Sequence, residues 1–220
     1  MKGRTKPAKI AVKICGLTDE ADAEAAIEAG ADFLGVVFFP PSPRNVSIER
    51  AQEILELVPE GIGRVGLFVD ADDALIERVM NNLRLDLFQF HGHETPERIE
   101  AVRQDYGMPV MKAIGLAEAA DLELARAYAQ TADRLLFDAK PSPGTDRPGG
   151  NATTFSWDML AGRPWPVPWM LAGGLTPDNV ADAIQRSGAL AVDVSSGVES
   201  APGVKDPRKI AAFIKAVRKL

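Results

Sequence analysis

The sequence predicts an α/β fold, a single (β/α)8 barrel with parallel strands and its active site at the C-terminal rim. Strand-like and helix-like runs alternate along the chain, and the strand interiors are rich in leucine and β-branched residues. No break in composition marks a second domain within the 220 residues, a length that regular barrels reach as one domain. We therefore predict one domain over 1–220, with 1–8 as a loosely ordered lead. A doubly wound open sheet is the alternative, but it usually has fewer strands.

Eight strands are predicted from short apolar runs. They are Lys9–Ile14, Phe33–Phe39, Arg64–Val69, Leu87–Phe90, Val110–Ile114, Arg134–Phe137, Trp169–Leu171 and Leu190–Val194. Helices follow at Asp19–Ala29, from a cap at Ser47 to Val58, and at Asp72–Leu83, Glu94–Tyr106, Glu118–Gln130, near Trp157, after Thr176 and from Asp206 to Lys219.

Residues that favour helix starts support several of these boundaries. Thr18 is a candidate N-cap with acidic residues behind it, and Gly30 closes the same helix. Pro177 is predicted in a first helical turn, and Asp206 before Pro207 is predicted to cap the last helix.

Composition limits the classes of function. Hydrophobic residues make up 46% of the chain, charged residues 25%, and the formal net charge is −6. This balance argues against a general nucleic-acid surface. The single cysteine excludes an internal disulfide and fits a reducing cytoplasm. The basic start has no apolar region typical of a signal peptide, and no apolar run reaches the roughly 20 residues of a membrane span. We expect a soluble, cytoplasmic protein, a monomer or homodimer, with no membrane or nucleic-acid partner.

Cys15 ends the first strand, and Gly16 turns the chain toward a helix. In α/β barrels, the carboxyl ends of strands carry the chemistry. A thiol near a helix N-terminus can have a lowered pKa and act as a thiolate. A lone cysteine is more often a small buried hydrophobe, so both interpretations stay open.

Two small-residue turns follow the seventh and eighth strands. They are Gly173-Gly174 and Ser195-Ser196-Gly197. In this fold, phosphate sites are commonly built from these two loops, where backbone amides can approach an anion. One such turn would favour a purely structural role, but two at neighbouring strand ends favour a phosphate site.

Two aspartates lie at or near strand ends. Asp138 follows the apolar run Leu135–Phe137, and a carboxyl in a partly apolar rim can serve as a general acid. The alternative is that Asp138 only caps the following loop. Asp193 lies within the last strand, so we expect it to face the barrel mouth or an interior polar partner.

Arg44 and His91 complete the candidate set. Arg44 lies in a proline-rich loop after the second strand, where its guanidinium could hold a substrate carboxylate in a bidentate fork. Its alternative is a solvated surface arginine. His91 ends the fourth strand, and His93 follows it. These are the only two histidines, and metal-dependent barrels normally gather more ligands, so we predict no metal site.

Five motifs in order resemble phosphoribosylanthranilate isomerases. They are Lys13–Thr18, Gln89–Gly92, Phe137–Lys140, Leu171–Leu175 and Asp193–Glu199. The resemblance covers the chain from about Lys9 to the end, and the first and last motifs are the most specific.

The resemblance implies a (β/α)8 TIM barrel of tryptophan biosynthesis that uses no cofactor. It implies an Amadori rearrangement of N-(5-phospho-β-D-ribosyl)anthranilate with Cys15 as general base and Asp138 as general acid. It places the anthranilate carboxylate at Arg44 and the phosphate at Gly173, Gly174, Ser195, Ser196 and Gly197. We expect His91 and Asp193 to contribute to substrate binding in the same site.

The loop after the sixth strand departs from the family pattern. Ala152 stands where a glycine is usual, after Gly149-Gly150, and the proline-rich segment Lys140–Pro148 is long. Other phosphate-binding barrels remain as alternatives: an indole-glycerol-phosphate synthase, expected to use lysine and glutamates, or a sugar-phosphate isomerase with two aspartates. The pair Cys15 and Asp138 disfavours both. A catalytically silent barrel that binds a phosphorylated ligand or a partner protein is the third alternative.

Overall fold

The computed structural model describes residues 9–140, 149 and 154–220. Eight parallel strands form a closed barrel in chain order. They are β1 (Ala11–Cys15), β2 (Phe33–Phe38), β3 (Gly63–Phe68), β4 (Leu87–Phe90), β5 (Val110–Leu116), β6 (Arg134–Ala139), β7 (Trp169–Leu171) and β8 (Ala191–Val194). Pairing of β1 with β8 closes the barrel and sets Lys13 opposite Asp193. The predicted (β/α)8 barrel is confirmed.

The helices lie between consecutive strands and after the last one. They are α1 (Glu20–Ala29), α2 (Ile48–Glu56), α3 (Asp73–Asn82), α4 (Pro96–Tyr106), α5 (Asp121–Tyr128), α6 (Val180–Ser187) and α7 (Pro207–Arg218). A short 3-10 helix at Trp157–Met159 lies between β6 and β7, as predicted near Trp157. The predicted lead over 1–8 lies outside the described residues.

Two predicted helix starts are wrong by one to three residues. Asp19, not Thr18, caps α1 by accepting a hydrogen bond from the Asp22 amide at 2.9 Å. The Thr18 hydroxyl instead donates to the Gly203 carbonyl oxygen at 3.0 Å. Helix α6 begins at Val180. Pro177 lies before it, in a turn closed by a hydrogen bond from the Thr176 amide to the Asn179 side chain.

Two other helices are shorter than predicted. Helix α4 begins at Pro96 with Thr95 as its cap, so Glu94 stays in the loop. Helix α5 begins at Asp121, whose carboxylate accepts the amides of Ala117 and Glu118 and closes a turn before the helix. At α5, a side chain that binds loop amides ends the loop later than periodicity indicates.

Two layers of apolar packing hold the barrel. The larger surrounds the strands and contacts the inner faces of the helices, with Phe68, Phe88 and Phe90 stacked or edge-on in it. A smaller cluster fills the barrel interior. Above that cluster, Cys15 packs with Val37 and Leu67. The upper end of the barrel interior therefore carries the thiol.

A short hairpin follows β8 and was not predicted. Its strands are β9 (Glu199–Ala201) and β10 (Val204–Lys205), paired antiparallel with Lys205 opposite Glu199. The hairpin lies between the loop after β8 and helix α7. Within the described part of the chain, no helix has both the length and the apolar character to cross a membrane.

Candidate active site

A cavity opens at the carboxyl ends of the strands; it spans about 800 Å³, including the part that is open to solvent. All ten residues predicted for the site line it: Cys15, Arg44, His91, Asp138, Gly173, Gly174, Asp193, Ser195, Ser196 and Gly197. They come from six strands or the loops that follow them. Closure of the barrel therefore brings site residues as far apart in sequence as Cys15 and Gly197 to the same rim.

Cys15 is the last residue of β1 and has 4% of its surface exposed. Lys13 precedes it by two residues on the same strand and has no exposed surface. The Lys13 ammonium group donates a hydrogen bond to the Asp193 carboxylate at 2.9 Å. Asp193 thus has the interior polar partner expected from its place within a strand.

The surroundings of Cys15 favour the neutral thiol. Burial raises the pKa of Cys15, and the Lys13 ammonium group opposes this rise without cancelling it. Burial alone would lower the pKa of Lys13, but Asp193 and Cys15 outweigh burial and raise that pKa. Of the two interpretations left open by the sequence, the surroundings of Cys15 therefore favour the buried neutral thiol over a thiol of lowered pKa. Desolvation at the top of the barrel is the stronger effect.

We expect alkylation of Cys15 to reveal this raised pKa, because iodoacetamide reacts with the thiolate. The midpoint of the rate against pH should be higher in the folded chain than in the chain unfolded in denaturant. Cys15 is the only thiol, so mass spectrometry assigns every modification without ambiguity. A folded-state midpoint at or below the unfolded one would contradict this description of the site.

Asp138 lies near the end of β6, and one carboxylate oxygen accepts the amide of Ala139 at 2.7 Å. The other carboxylate oxygen lies 3.2 Å from Nε2 of His91. On the far side of the imidazole ring, the Gln89 side-chain amide lies 3.3 Å from Nδ1. His91 is therefore held between an amide and the carboxyl group. His93 lies outside this cluster, with 94% of its side chain exposed.

Arg44 is buried, which excludes the surface alternative. Its Nε and Nη2 donate to the two oxygens of Glu199 at 2.7 and 2.8 Å. That edge of the guanidinium is therefore occupied within the protein. The end-on edge is formed by Nη1 and the second hydrogen of Nη2. This edge could donate two parallel hydrogen bonds to a ligand carboxylate.

The two small-residue turns lie against each other. A Cβ atom on Gly197 would stand 1.8 Å from the carbonyl oxygen of Leu175, so no larger residue fits there. Gly173 has φ +86°, and a Cβ atom on it would stand 2.6 Å from the amide nitrogen of Ala139. Both turns line the cavity. Close backbone approach at neighbouring strand ends suits amide binding of an anion.

Sequence reasoning missed three buried charged residues at this site. Glu199 ends the motif Asp193–Glu199 but was given no role. Lys205, from the unpredicted hairpin, donates to Glu199 at 2.7 Å. Burial alone would raise the pKa of Glu199, but Arg44 and Lys205 outweigh burial and lower it. Lys13 was part of a quoted motif but was given no role. Its position in the sequence could have shown its role. Side chains alternate between the two faces of a strand, so Lys13 lies on the same face as Cys15.

The loop before Trp157 is only partly described. Gly149 lines the cavity, whereas the departure from the family pattern at Ala152 and the segment 141–148 lie outside the described residues.

Comparison with known proteins identifies the family. The family model described as N-(5'phosphoribosyl)anthranilate (PRA) isomerase matches residues 12–216. The chain belongs to this family.

Individual PRA isomerases show how close the likeness is. The N-(5'-phosphoribosyl)anthranilate isomerase of Paramagnetospirillum magneticum is 62% identical over 209 residues, covering 95% of this chain and 97% of that protein. The crystal structure of the Thermotoga maritima PRA isomerase matches with a TM-score of 0.86 and 38% identity, covering 96% of this chain and all of that one.

A further PRA isomerase structure is a complex with reduced 1-(o-carboxyphenylamino)-1-deoxyribulose 5-phosphate. It matches with a TM-score of 0.84 and 36% identity, over 96% of this chain and all of that one. That ligand carries a carboxylate at one end and a phosphate at the other.

Proposed function

We propose that the chain is a PRA isomerase of tryptophan biosynthesis. It converts N-(5-phospho-β-D-ribosyl)anthranilate to 1-(2-carboxyphenylamino)-1-deoxy-D-ribulose 5-phosphate by an Amadori rearrangement. One observation carries the proposal: a thiol, a carboxyl group, an arginine and two glycine turns line a single cavity. The family match and the ligand of the related complex support it.

The two anionic ends of the substrate bind to two different parts of the cavity, one made of backbone amides and the other of a guanidinium group. The phosphate binds to the amides of the Gly173-Gly174 and Ser195–Gly197 turns. The anthranilate carboxylate binds to the end-on edge of Arg44. Fixing a flexible molecule at both ends holds the sugar carbons between them, where Cys15 and Asp138 line the cavity.

Asp138 acts first, as general acid. Its carboxyl group gives a proton to the ring oxygen of the ribosylamine, the bond from that oxygen to C1′ breaks, and the nitrogen lone pair forms an iminium at C1′. His91 keeps the carboxyl group in place through the contact with Nε2.

Cys15 acts second, as general base. Its thiolate takes the proton from C2′, the C–H electrons form the C1′–C2′ double bond, and the iminium becomes an enolamine. The enolamine then tautomerises to the ketone: the C2′ hydroxyl loses its proton, the C2′=O bond forms, and the electrons of the C1′–C2′ double bond take up a proton at C1′. Burial raises the thiol pKa and therefore disfavours the thiolate in the free protein. The Lys13 ammonium beside the thiol and the positive iminium both favour its ionisation.

The described residues that line the cavity all come from one chain. A monomer, or each subunit of a homodimer, would therefore be competent for catalysis. The substrate is a phosphorylated small molecule. A catalytic thiol works best in a reducing compartment, which supports a place in the cytoplasm.

Replacing Arg44 tests the carboxylate end. We expect Arg44→Met to raise KM about 10- to 100-fold, the range for a lost charged hydrogen bond, with a small change in kcat. The assay follows the fluorescence of the anthranilate-derived substrate, and exposed Arg78→Met is the matched control. A large fall in kcat at unchanged KM would contradict an anchoring role.

Growth of a tryptophan auxotroph that lacks PRA isomerase tests the function in a cell. We expect the chain to restore growth without tryptophan, and Cys15→Ser to fail at equal expression. A catalytically silent barrel would restore growth in neither case and would overturn the proposal.

A further inference from the structure

The hairpin β9–β10 has no part in the mechanism above, yet it contacts three segments of the rim. Thr18, after β1, donates to the Gly203 carbonyl oxygen in the hairpin turn. A Cβ atom on Gly203 would stand 2.4 Å from the carbonyl oxygen of Pro43 in the loop after β2. Lys205 contacts Ser195 at the end of β8. The hairpin therefore lies between the loop that carries Arg44 and the turn assigned to phosphate.

Glu199 fixes the orientation of Arg44. Its two oxygens accept from Nε and Nη2, and the side chains of Glu199 and Arg44 are 4% and 6% exposed. Two parallel hydrogen bonds hold a planar guanidinium in one plane and one rotation. The end-on edge therefore has a set direction before any ligand arrives.

Lys205 links Glu199 to the turn after β8. Its ammonium group donates to Glu199 at 2.7 Å, to the Ser195 carbonyl oxygen at 3.2 Å and to the Ser195 hydroxyl at 3.3 Å. Its side chain has no exposed surface. Because the peptide is planar, holding the Ser195 carbonyl toward Lys205 turns the Ser196 amide the opposite way.

A buried ion pair is weak evidence for stability, because desolvation can exceed the attraction between the charges. Here the pair joins two groups that bind opposite ends of one substrate. We propose that Glu199 and Lys205 are positioning residues that set Arg44 and the Ser195–Gly197 turn in register for a ligand with a carboxylate and a phosphate. This inference rests on the proposed function.

An electrostatic effect of Glu199 and a positioning role of Glu199 predict opposite changes in anion binding for Glu199→Gln. Removing a negative charge would, by electrostatics alone, strengthen the binding of anions. If Glu199 positions both anchors, the dissociation constants of inorganic phosphate and of anthranilate should each rise about tenfold, because both end contacts loosen. Lys205→Met leaves the Arg44–Glu199 pair intact, so only the phosphate constant should rise about tenfold, with anthranilate changed less than threefold.

The experiment is an equilibrium titration of each ligand, alone, against the full chain. Exposed Glu77→Gln and Lys215→Met are the charge-matched controls, and both should bind as the wild type does. KM for the whole substrate should rise in both test variants with kcat little changed. Thermal unfolding of each variant checks that it is folded. If Glu199→Gln does not fold, the binding constants of Lys205→Met alone test the inference.

Equal or tighter binding by folded Glu199→Gln would overturn the inference, as would unchanged phosphate binding by Lys205→Met. If the wild type turns over substrate while these variants keep wild-type affinities, only this inference fails. If the wild type binds neither anion and has no turnover, the proposed function fails with it.

Discussion

Replacing Asp138 with asparagine should lower kcat about 10²- to 10⁴-fold, the range for loss of a positioned acid. An amide cannot give a proton to the ring oxygen, so ring opening becomes the slow step. The amide oxygen can still accept the Ala139 amide that Asp138 accepts now. We therefore expect the thermal midpoint to change little.

Asp105→Asn on the exposed face of α4 is the control for this variant. It makes the same chemical change far from the cavity and should keep the wild-type rate. Steady-state rates and thermal unfolding of both proteins, measured side by side, separate chemistry from folding. If Asp138→Asn kept more than about a tenth of the wild-type kcat, a general acid role with the cited range would be contradicted.

Replacing Cys15 with serine should be at least as damaging. Serine preserves the shape of the side chain between Val37 and Leu67, but its hydroxyl ionises far less readily than a thiol. We expect kcat to fall about 10²- to 10⁴-fold or more, because proton removal from C2′ then lacks its base.

Binding measurements distinguish this loss from damage to the anchors. Arg44 and the two turns are unchanged in Cys15→Ser, so phosphate and anthranilate should bind within about twofold of wild type. Weak binding of both ligands would instead mean that Cys15 supports the shape of the cavity. Retention of most of the turnover would remove the general base assignment.

The barrel could be predicted because each strand is a short apolar run that ends in turn residues. The site at its rim follows from the same pattern, since parallel strands in a closed barrel bring their carboxyl ends together. Cys15, Asp138 and the two turns all stand at such ends, so their common cavity could be predicted. Helix starts were less predictable, because Thr18 and Asp19 are both good caps and only the tertiary contact with Gly203 separates them.

Other features depend on contacts that span the whole chain. Arg44 and Glu199 are 155 residues apart, and no local pattern predicts their pairing. The hairpin strands contain three and two residues, too few to show alternation. The raised pKa of Cys15 depends on the depth of burial beside Lys13, which sequence spacing does not give.

The most direct test is turnover by the purified chain with substrate made in place from anthranilate and phosphoribosyl pyrophosphate by the transferase. Loss of substrate fluorescence is followed for the wild type, Cys15→Ser, Asp138→Asn and the double variant. We expect rapid loss for the wild type only. Asp138 speeds ring opening without changing its equilibrium, so the double variant should be about as slow as the slower single variant. A folded wild type with no turnover, or a single variant with nearly full rate, would contradict the assignment of base and acid to this rim.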